Sequence, residues 1–291
     1  MMSDINGEKH NKSSRQENGV AFIKGAVIGG TMLVPGVSGG SMAMILGIYD
    51  RLIGAVGSFL KDVKCNFMFL CIFALGGAVG MVVLSNPISY LMEHFNKPFM
   101  YFFLGAVAGS IPMVYRHAKV KDKSWISRMK QVGYLLIGIA IVMIFAFMPE
   151  GTFVGGDTHS SGNVVIQLVA GVIAAVALVL PGISVSYMLV LMGIYDSTVN
   201  AISRLDIFYL LPMGFGLFLG IVLITKLLEG ALTKYPEMTY LVILGFMIGS
   251  VVQVFPGLPE GIMEWILCVN LALAGFGVIF AISNGEGATL E

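Results

Sequence analysis

Long apolar stretches separated by short polar segments dominate the pattern of hydrophobic and polar positions along the chain. Six stretches are long enough to cross a bilayer, because a transmembrane helix needs roughly 17–25 apolar residues. They cover residues 67–92, 98–115, 131–148, 207–225, 239–255 and 261–283. Four shorter stretches form two interrupted pairs, 20–34 with 42–60 and 164–180 with 187–195. The pattern therefore predicts six transmembrane helices and two broken apolar pairs.

A short segment rich in Pro, Gly and Ser breaks each pair, and the two segments belong to an internal repeat. Residues 35–50 read PGVSGGSMAMILGIYD, and residues 181–196 read PGISVSYMLVLMGIYD. Gly-xxx-Gly pairs also recur in the two halves, at 76–80, 105–109, 216–220 and 245–249. Such pairs are typical of faces on which helices pack closely. The chain is therefore interpreted as a duplication of about residues 20–148 and 164–283.

Composition narrows the class of protein. Hydrophobic residues make up 57% of the 291 residues and charged residues only 12%, whereas a soluble domain averages about 25% charged residues. The 17 Lys and Arg balance the 17 Asp and Glu, so the chain lacks the basic excess of a nucleic-acid-binding protein. The three cysteines show neither a paired spacing nor a nearby His cluster, which argues against a disulfide framework and a metal site. These values exclude a soluble enzyme and indicate a polytopic membrane protein without a cofactor motif.

The charges of the loops predict the orientation of the chain. The loop at 116–130 is rich in basic residues, namely Arg116, Lys119, Lys121, Lys123, Arg128 and Lys130. The loop at 149–163 contains no Lys or Arg. Because short basic loops stay in the cytoplasm, we expect 116–130 inside and 149–163 outside. The polar tails at 1–19 and 284–291 are then both cytoplasmic, and the two halves cross the membrane in opposite orientations.

The broken pairs are too short to span the membrane twice. The arm after the second break, 187–195, has nine residues before the chain turns polar at Asp196. Nine helical residues rise about 13 Å, less than half of a ~30 Å hydrocarbon core. The segments 20–60 and 164–206 are therefore predicted to be re-entrant hairpins with tips near the middle of the membrane. The expected fold is an all-α polytopic membrane protein of two inverted-topology repeats, each with one re-entrant hairpin broken at Pro-Gly-Ser and three transmembrane helices, as in many secondary transporters.

The tips of the two hairpins have the chemistry of an anion site. A helix that restarts after a break presents free backbone N–H groups and the positive end of its dipole to an anion. Serine hydroxyls add donors, and glycine lets the backbone approach a ligand closely. The candidate substrate-binding residues of the tips are Gly36, Ser38, Gly39, Gly40, Ser41, Gly182, Ser184 and Ser186. The alternative is that each tip only caps a packed hairpin, but two matched tips in opposite orientation favour a site.

Three charged residues near the tips each allow two interpretations. Arg51 either binds the anion or snorkels to the cytoplasmic interface, and its counterpart in the repeat is Ser197. Asp50 and Asp196 recur in matching Tyr-Asp pairs. These two carboxylates either carry a coupling proton or ion, or end helices at the membrane interface.

The repeated pattern PGxSxxxMxxxxGIYD and the inverted layout resemble the polyprenyl-phosphate translocase (PopT) family of bacterial membrane proteins, over residues 20–283. The first motif, VPGVSGGSMAMILGIYDRLI at 34–53, is long and specific. The second is looser, since Val185, Ser186 and Tyr187 stand where the first motif has Gly39, Gly40 and Ser41. The resemblance implies a carrier of undecaprenyl phosphate in the bacterial cytoplasmic membrane, which returns this lipid from the outer to the inner leaflet for reuse in cell-envelope glycan synthesis. The substrate region that it implies comprises residues 35–41, Asp50, Arg51 and residues 181–186.

The charge of such a substrate predicts coupling to an ion. A phosphomonoester carries about −1.5 to −2 charges at neutral pH, and moving one negative charge inward against the membrane potential costs about 2.3 kcal/mol per 100 mV. A compensating proton or cation is therefore expected, beside a polyprenyl phosphate and membrane lipids as partners. A homodimer is neither required nor excluded. Two other functions use the same features: a secondary transporter of a small soluble anion, and a lipid-phosphate phosphatase, which the missing catalytic constellation disfavours.

Overall fold

A computed structural model describes residues 2–34, 36–120, 124–149, 164–204 and 206–287. Within these ranges the chain is all-helical, with no β-strand and one 3₁₀ turn at Phe59–Lys61. The α-helices are α1 (Met2–Thr31), α2 (Gly39–Ile45), α3 (Tyr49–Gly57), α4 (Val63–His94), α5 (Asn96–His117), α6 (Trp125–Ala146), α7 (Val164–Val179), α8 (Val185–Leu191), α9 (Tyr195–Arg204), α10 (Ile207–Lys234), α11 (Pro236–Val254) and α12 (Ile262–Gly287). The predictions for Pro35, for most of the loop at 149–163 and for the end of the C-terminal tail fall outside the described residues.

The six long apolar stretches form helices that are long and apolar enough to cross a membrane, which confirms the prediction from hydropathy. In the described part of the chain these helices are α4, α5, α6, α10, α11 and α12. Half of the apolar window of α5 and of α11 is buried, against at most 22% in the other four. The protein is therefore a multi-pass membrane protein with α5 and α11 at its centre.

Two helix pairs with matching geometry occur, one in each half of the chain. Helix α1 packs along α4, and α7 packs along α10. At each glycine of these faces an added Cβ would collide with the partner helix. The contacts join Gly76 with Phe22, Gly80 with Ala26, Gly216 with Leu168 and Gly220 with Val172. Because the contacts advance in the same sense along both partners, α1 runs in the same direction as α4, and α7 in the same direction as α10.

The remaining transmembrane helices pack across the two halves. Helix α5 lies along α12, and α11 lies along α6. The backbone contacts join Gly105 with Ala272, Gly109 with Phe276, Gly245 with Leu135 and Gly249 with Ile139. The partners again run in the same direction. All four predicted Gly-xxx-Gly faces are thus helix-packing faces, which confirms that prediction.

The two repeated motifs fold with the same backbone turns. Gly36 and Gly182 have φ angles of +81° and +82°, and Gly47 and Gly193 have φ angles of +64° and +68°. This left-handed region is open to glycine but costs other residues roughly 1–2 kcal/mol. Gly47 separates the short helices α2 and α3, and Gly193 separates α8 from α9, which meet at 118°.

Two element boundaries differ from the expectation based on hydropathy. Helix α1 begins at Met2 rather than near residue 20, so the polar N-terminal segment continues the first helix. The apolar arm at 42–60 is not one helix, because the turn at Gly47 divides it into α2 and α3. Both differences leave the positions of the two tips unchanged.

Candidate functional site

The two Pro-Gly-Ser tips, far apart in sequence, are in direct contact. The hydroxyl oxygen of Ser41 accepts a hydrogen bond of 2.7 Å from the backbone N–H of Gly182. Gly40 lies so close to the second tip that an added Cβ would be 3.2 Å from backbone atoms of Pro181. The buried Tyr49 hydroxyl strengthens the junction by donating a 2.8 Å hydrogen bond to a carbonyl at the end of α7. The halves of the chain therefore meet at their repeated motifs.

A cavity of about 790 Å³ lies beside this junction. Its wall includes residues of both tips, the residues that directly follow α1, and the final residues of α6, α7 and α11. The polar side chains in the wall are those of Ser38, Ser184, Ser186, Tyr187, Tyr195 and Gln253. Among the described residues that line the cavity there is no Lys, Arg, Asp or Glu. An anion in this cavity would be held by hydroxyl, amide and backbone donors rather than by an ion pair.

Ser38 carries the buried polar group of the cavity wall that has no hydrogen-bond partner among the described residues. Its residue is only 5% exposed, and its hydroxyl oxygen is buried without a hydrogen bond to any described residue. Ser184, at the same place in the second tip, accepts a hydrogen bond of 3.5 Å from the N–H of Tyr187. An unsatisfied buried hydroxyl costs about 1–3 kcal/mol. A ligand with acceptor oxygens would remove this cost.

The structure divides the predicted tip residues into two groups. The residues that line the large cavity are Gly36, Ser38, Gly39, Ser184 and Ser186. The other three, Gly40, Ser41 and Gly182, form the junction between the tips. The helices α2 and α8 that follow the tips have only seven residues each. Their dipoles are correspondingly weak, so an anion at the tips would depend mainly on the hydroxyl and N–H donors.

Arg51 does not join the tips. It follows α2 in helix α3, where its Nη1 donates a hydrogen bond of 3.0 Å to the Asn66 side chain near the start of α4. Its guanidinium carbon lies 4.5 Å from the centroid of the Phe69 ring. Arg51 lines a separate cavity of about 430 Å³. The structure therefore keeps Arg51 apart from the eight tip residues with which the sequence grouped it.

The two repeated aspartates both lie in the first turn of a short helix. Asp50 is the second residue of α3 and accepts a 2.6 Å hydrogen bond from the hydroxyl of Tyr240 in α11. Asp196 has the same place in α9 and is exposed. A carboxylate in a first helical turn interacts favourably with the helix dipole. Both interpretations of these residues, as carriers and as helix-end residues, are compatible with this placement.

Two further residues of the site were missed by sequence reasoning. Gln253 is half-buried near the end of α11 and lines the large cavity, where its carbonyl also lies against Gly36. A side-chain amide within the apolar stretch 239–255 is a signal that the sequence alone could have given, since polar residues inside transmembrane helices are costly and commonly functional. Tyr240 carries no such signal, because its contact with Asp50 spans 190 residues of sequence.

Comparison with known proteins gives the family. The model of the VCA0040-like, undecaprenyl phosphate translocase-like family matches residues 28–265. A polyprenyl-phosphate transporter of Staphylococcus aureus is 34% identical over 274 residues, which cover 91% of this chain and 96% of that protein. A polyprenyl-phosphate transporter of Vibrio cholerae is 29% identical over 249 residues, with 81% of this chain and 77% of that protein covered. No solved structure gave a significant match. The chain therefore belongs to the VCA0040-like family, whose members are undecaprenyl phosphate translocase-like membrane transporters rather than enzymes.

Proposed function

We propose that the protein moves undecaprenyl phosphate, or a related polyprenyl phosphate, from the outer to the inner leaflet of the bacterial cytoplasmic membrane. This step returns the carrier lipid for reuse in cell-envelope glycan synthesis. The names of the two relatives support this substrate class. The observation that carries the proposal is the cavity of about 790 Å³ at the junction of the tips, with the unpartnered Ser38 hydroxyl in its wall. A phosphate has acceptor oxygens for such donors, while the prenyl chain remains in lipid.

The helix directions support two inverted repeats, residues 20–148 and 164–283. In the repeat, α5 corresponds to α11 and α6 corresponds to α12. Helix α5 runs parallel to α12, and α12 follows α11 back across the membrane. Helix α5 is therefore antiparallel to its counterpart α11, and the same argument applies to α6 and α12.

The α1 and α4 pair supports a re-entrant hairpin at 20–60. These helices run in the same direction, so the chain between them returns to the side on which α1 began. Gly30, near the end of α1, lies against Leu84, ten residues or about 15 Å before α4 ends at His94. The first tip then lies inside the membrane. The parallel α7 and α10 give the same support for a hairpin at 164–206.

Loop charges support the orientation of the site. Arg116 at the end of α5 and Arg128 at the start of α6 belong to the basic segment that we assign to the cytoplasm. Phe147 and Gln253, after α6 and near the end of α11, line the large cavity and lie at the opposite ends of their helices. The cavity then opens toward the outer leaflet, with both chain termini in the cytoplasm. This is the side from which the substrate would be taken up.

Transport in this direction needs charge compensation, for which we assign Asp50 and Asp196 as carriers of a proton or cation. Asp50 is bonded across the repeat interface to Tyr240. Protonation of this carboxylate would change a contact between the first hairpin and α11. Binding of the coupling proton or cation would thus act on the first hairpin, which carries one of the two tips.

Reconstitution into proteoliposomes tests the proposed substrate. The lipid is placed in one leaflet, and its accessibility to a membrane-impermeant reagent in the other leaflet is followed with time. The proposal expects rapid movement of undecaprenyl phosphate, no acceleration for the uncharged undecaprenol, and no release of phosphate. Movement of inorganic phosphate without movement of the lipid would favour the soluble-anion transporter. Release of phosphate from the lipid would favour the phosphatase.

A further inference from the structure

A second cavity, separate from the large cavity beside the tips, lies between α1, the start of α3 and the start of α4. It has a volume of about 430 Å³ and is lined by residues of α1, α3 and α4. None of its lining residues lines the large cavity. Two of them are the cations Lys24 and Arg51. In the proposed orientation this cavity lies at the cytoplasmic end of the protein, because α4 begins there.

Arg51 is held in place from two sides. Its Nη1 donates to the side-chain oxygen of Asn66 at 3.0 Å, and its guanidinium lies over the Phe69 ring. Asn66 is itself only 7% exposed, and its amide nitrogen donates to the carbonyls of Ser58 and Phe59 at 3.3 and 3.5 Å. A fixed asparagine therefore orients the guanidinium.

The oriented guanidinium retains donors for a ligand. An arginine has five N–H donors, of which one contacts Asn66 and one contacts the Cys65 sulfur at 3.6 Å. No described carboxylate forms an ion pair with Arg51, although Glu17 lines the same cavity. A planar guanidinium with donors to spare suits a phosphate, because arginine commonly binds phosphate through two parallel hydrogen bonds.

The surroundings of this cavity suit a lipid. Val20 and Met68 line it and are 49% and 39% exposed, and the neighbouring Ile23 is 64% exposed. A ligand with its anionic group at Arg51 would thus have an exposed apolar surface for a hydrocarbon chain. The counterpart of Arg51 in the second half is Ser197, so the repeat provides this cation at one end of the molecule only.

We infer that the cavity around Arg51 is a second phosphate-binding site, which receives the phosphomonoester group of the lipid on the cytoplasmic side after it leaves the tip cavity. The inference rests on the proposed function. It gives the transporter two successive sites, an uncharged one at the tips and a basic one at the cytoplasmic end. Because the second half has Ser197 in place of Arg51, the path of the phosphate carries this arginine at its cytoplasmic end only.

Cys65 provides a native probe of this site. Its sulfur lies beside Arg51 and is exposed, as is Cys71 further along α4. The full-length protein in phosphatidylcholine nanodiscs is treated with a maleimide, and alkylation of each cysteine is followed by mass spectrometry. Undecaprenyl phosphate is expected to slow alkylation of Cys65 and to leave Cys71 unchanged. Equal protection of both cysteines, or of neither, would overturn the inference.

Substitutions separate binding by Arg51 from a general attraction of lipid. Arg51→Gln is expected to raise the concentration of lipid that protects Cys65 about tenfold or more. Arg51→Lys, which keeps the charge but loses the planar fork, should fall between Arg51→Gln and the wild type. Arg128→Gln removes an exposed arginine outside the cavity and is expected to bind like the wild type. Equal weakening by Arg128→Gln would contradict a specific site.

Other ligands identify the source of the phosphate. Inorganic phosphate, undecaprenol and phosphatidylglycerol are each tested at the concentration at which undecaprenyl phosphate protects. Equal protection by any of them would overturn the assignment to a lipid phosphomonoester. Unchanged Cys71 reactivity and a buried, unreactive Cys268 report that each variant is folded.

The same preparations distinguish failure of this inference from failure of the proposed function. Protection of Cys65 without movement of the lipid between leaflets would retain the site and contradict the transport function. Lipid movement at the wild-type rate in Arg51→Gln, with no protection of Cys65 in the wild type, would contradict the site alone.

Discussion

At the residue scale, two serines of one tip have different roles. The hydroxyl of Ser41 accepts a hydrogen bond from the buried N–H of Gly182, whereas the buried hydroxyl of Ser38 has no described partner. Removing one partner of a buried hydrogen bond leaves the other unsatisfied, while removing an unpartnered hydroxyl leaves nothing behind. Ser41 is therefore suited to hold the tips together, and Ser38 to bind a ligand.

Ser41→Ala is expected to lower the free energy of unfolding by about 1–3 kcal/mol, because the Gly182 N–H loses its partner. Ser38→Ala is expected to leave this free energy unchanged or to raise it slightly. Thermal unfolding of the purified variants in detergent measures the difference. An equal loss of stability in both variants would contradict the division of roles.

Gly182→Ala tests the backbone of the second tip. With φ at +82° and the carbonyl of Phe246 next to the position of a Cβ, alanine would meet a conformational cost of roughly 1–2 kcal/mol in addition to a steric clash. We expect a lower unfolding temperature and lower yield of folded protein. Gly133→Ala is the matched control, since an added Cβ there meets no atom within 4 Å and helix propensity improves. Equal behaviour of the two variants would argue against the tight tip.

The sequence predicted the residue types of the site but not their individual contacts. The repeated Pro-Gly-Ser motif marked both tips, because glycine and serine there break an apolar helix. The sequence did not show which serine is paired, since the Ser41 contact spans 141 residues. It left the place of Arg51 open for the same reason, because Asn66 and Phe69 fix it through tertiary packing.

At the scale of the elements, α3 is the helix through which the two halves can influence each other. Its first turn is bonded through Asp50 to Tyr240 of α11. Just after its end, Ser58 donates a hydrogen bond of 2.5 Å to Glu229 of α10. Each end of α3 is thus held by a hydrogen bond to a carboxylate, that of Asp50 from the first half and that of Glu229 from the second half. A change of protonation at these carboxylates would act on the position of the first tip.

Asp50→Asn and Asp196→Asn test proton coupling. Asparagine still accepts a hydrogen bond but does not titrate, so the hairpin should remain in place while the dependence of transport on a pH gradient falls or disappears. The rate of lipid movement is measured with and without a pH gradient at fixed membrane potential. Asp206→Asn is the control, because Asp206 caps α10 and asparagine caps a helix equally well. Full gradient dependence in both test variants would contradict their role as carriers.

The long helices were predictable, and the short ones were not. Hydropathy located α4, α5, α6, α10, α11 and α12 because each carries a long apolar signal. Helices α2 and α8 have seven residues each, about two turns, which is too short for a periodic pattern. The early start of α1 was missed because its N-terminal part is polar.

At the scale of the whole molecule, one cavity lies toward each side of the membrane in the proposed orientation. The tip cavity is uncharged and opens outward in the proposed orientation, while the Arg51 cavity lies at the cytoplasmic end. The described conformation would then accept a substrate from the outer leaflet. Transport requires a second conformation in which the junction of the tips opens inward.

Ser186→Cys tests the direction in which the tip cavity opens. Ser186 is exposed in the wall of this cavity, so a cysteine there should react with a membrane-impermeant maleimide added outside intact cells. The background carries substitutions of Cys65, Cys71 and Cys268. Restored Cys65 serves as the control and should react only when the reagent reaches the cytoplasmic side. The reverse pattern would contradict the proposed orientation.

The repeat predicted that the two halves are alike, but not how they fit together. The matching Gly-xxx-Gly faces predicted close helix packing in each half. Their partners, α12 for α5 and α6 for α11, were not predictable, because a small-residue face accepts any helix that reaches it. The contact of the two tips likewise became visible only in three dimensions.

Phosphate binding at the tips is tested most directly by comparing rates of lipid movement between leaflets for the wild type, Ser38→Ala and Ser85→Ala. Ser85 is a half-buried serine of α4 whose hydroxyl donates a hydrogen bond to its own helix, so it is a control for loss of a hydroxyl. We expect rapid movement of undecaprenyl phosphate by the wild type and Ser85→Ala, and movement about tenfold slower or more in Ser38→Ala, since hydrogen bonds to charged groups are strong. Equal rates in all three proteins would contradict phosphate binding at the tips, and no movement by the wild type would contradict the proposed function itself.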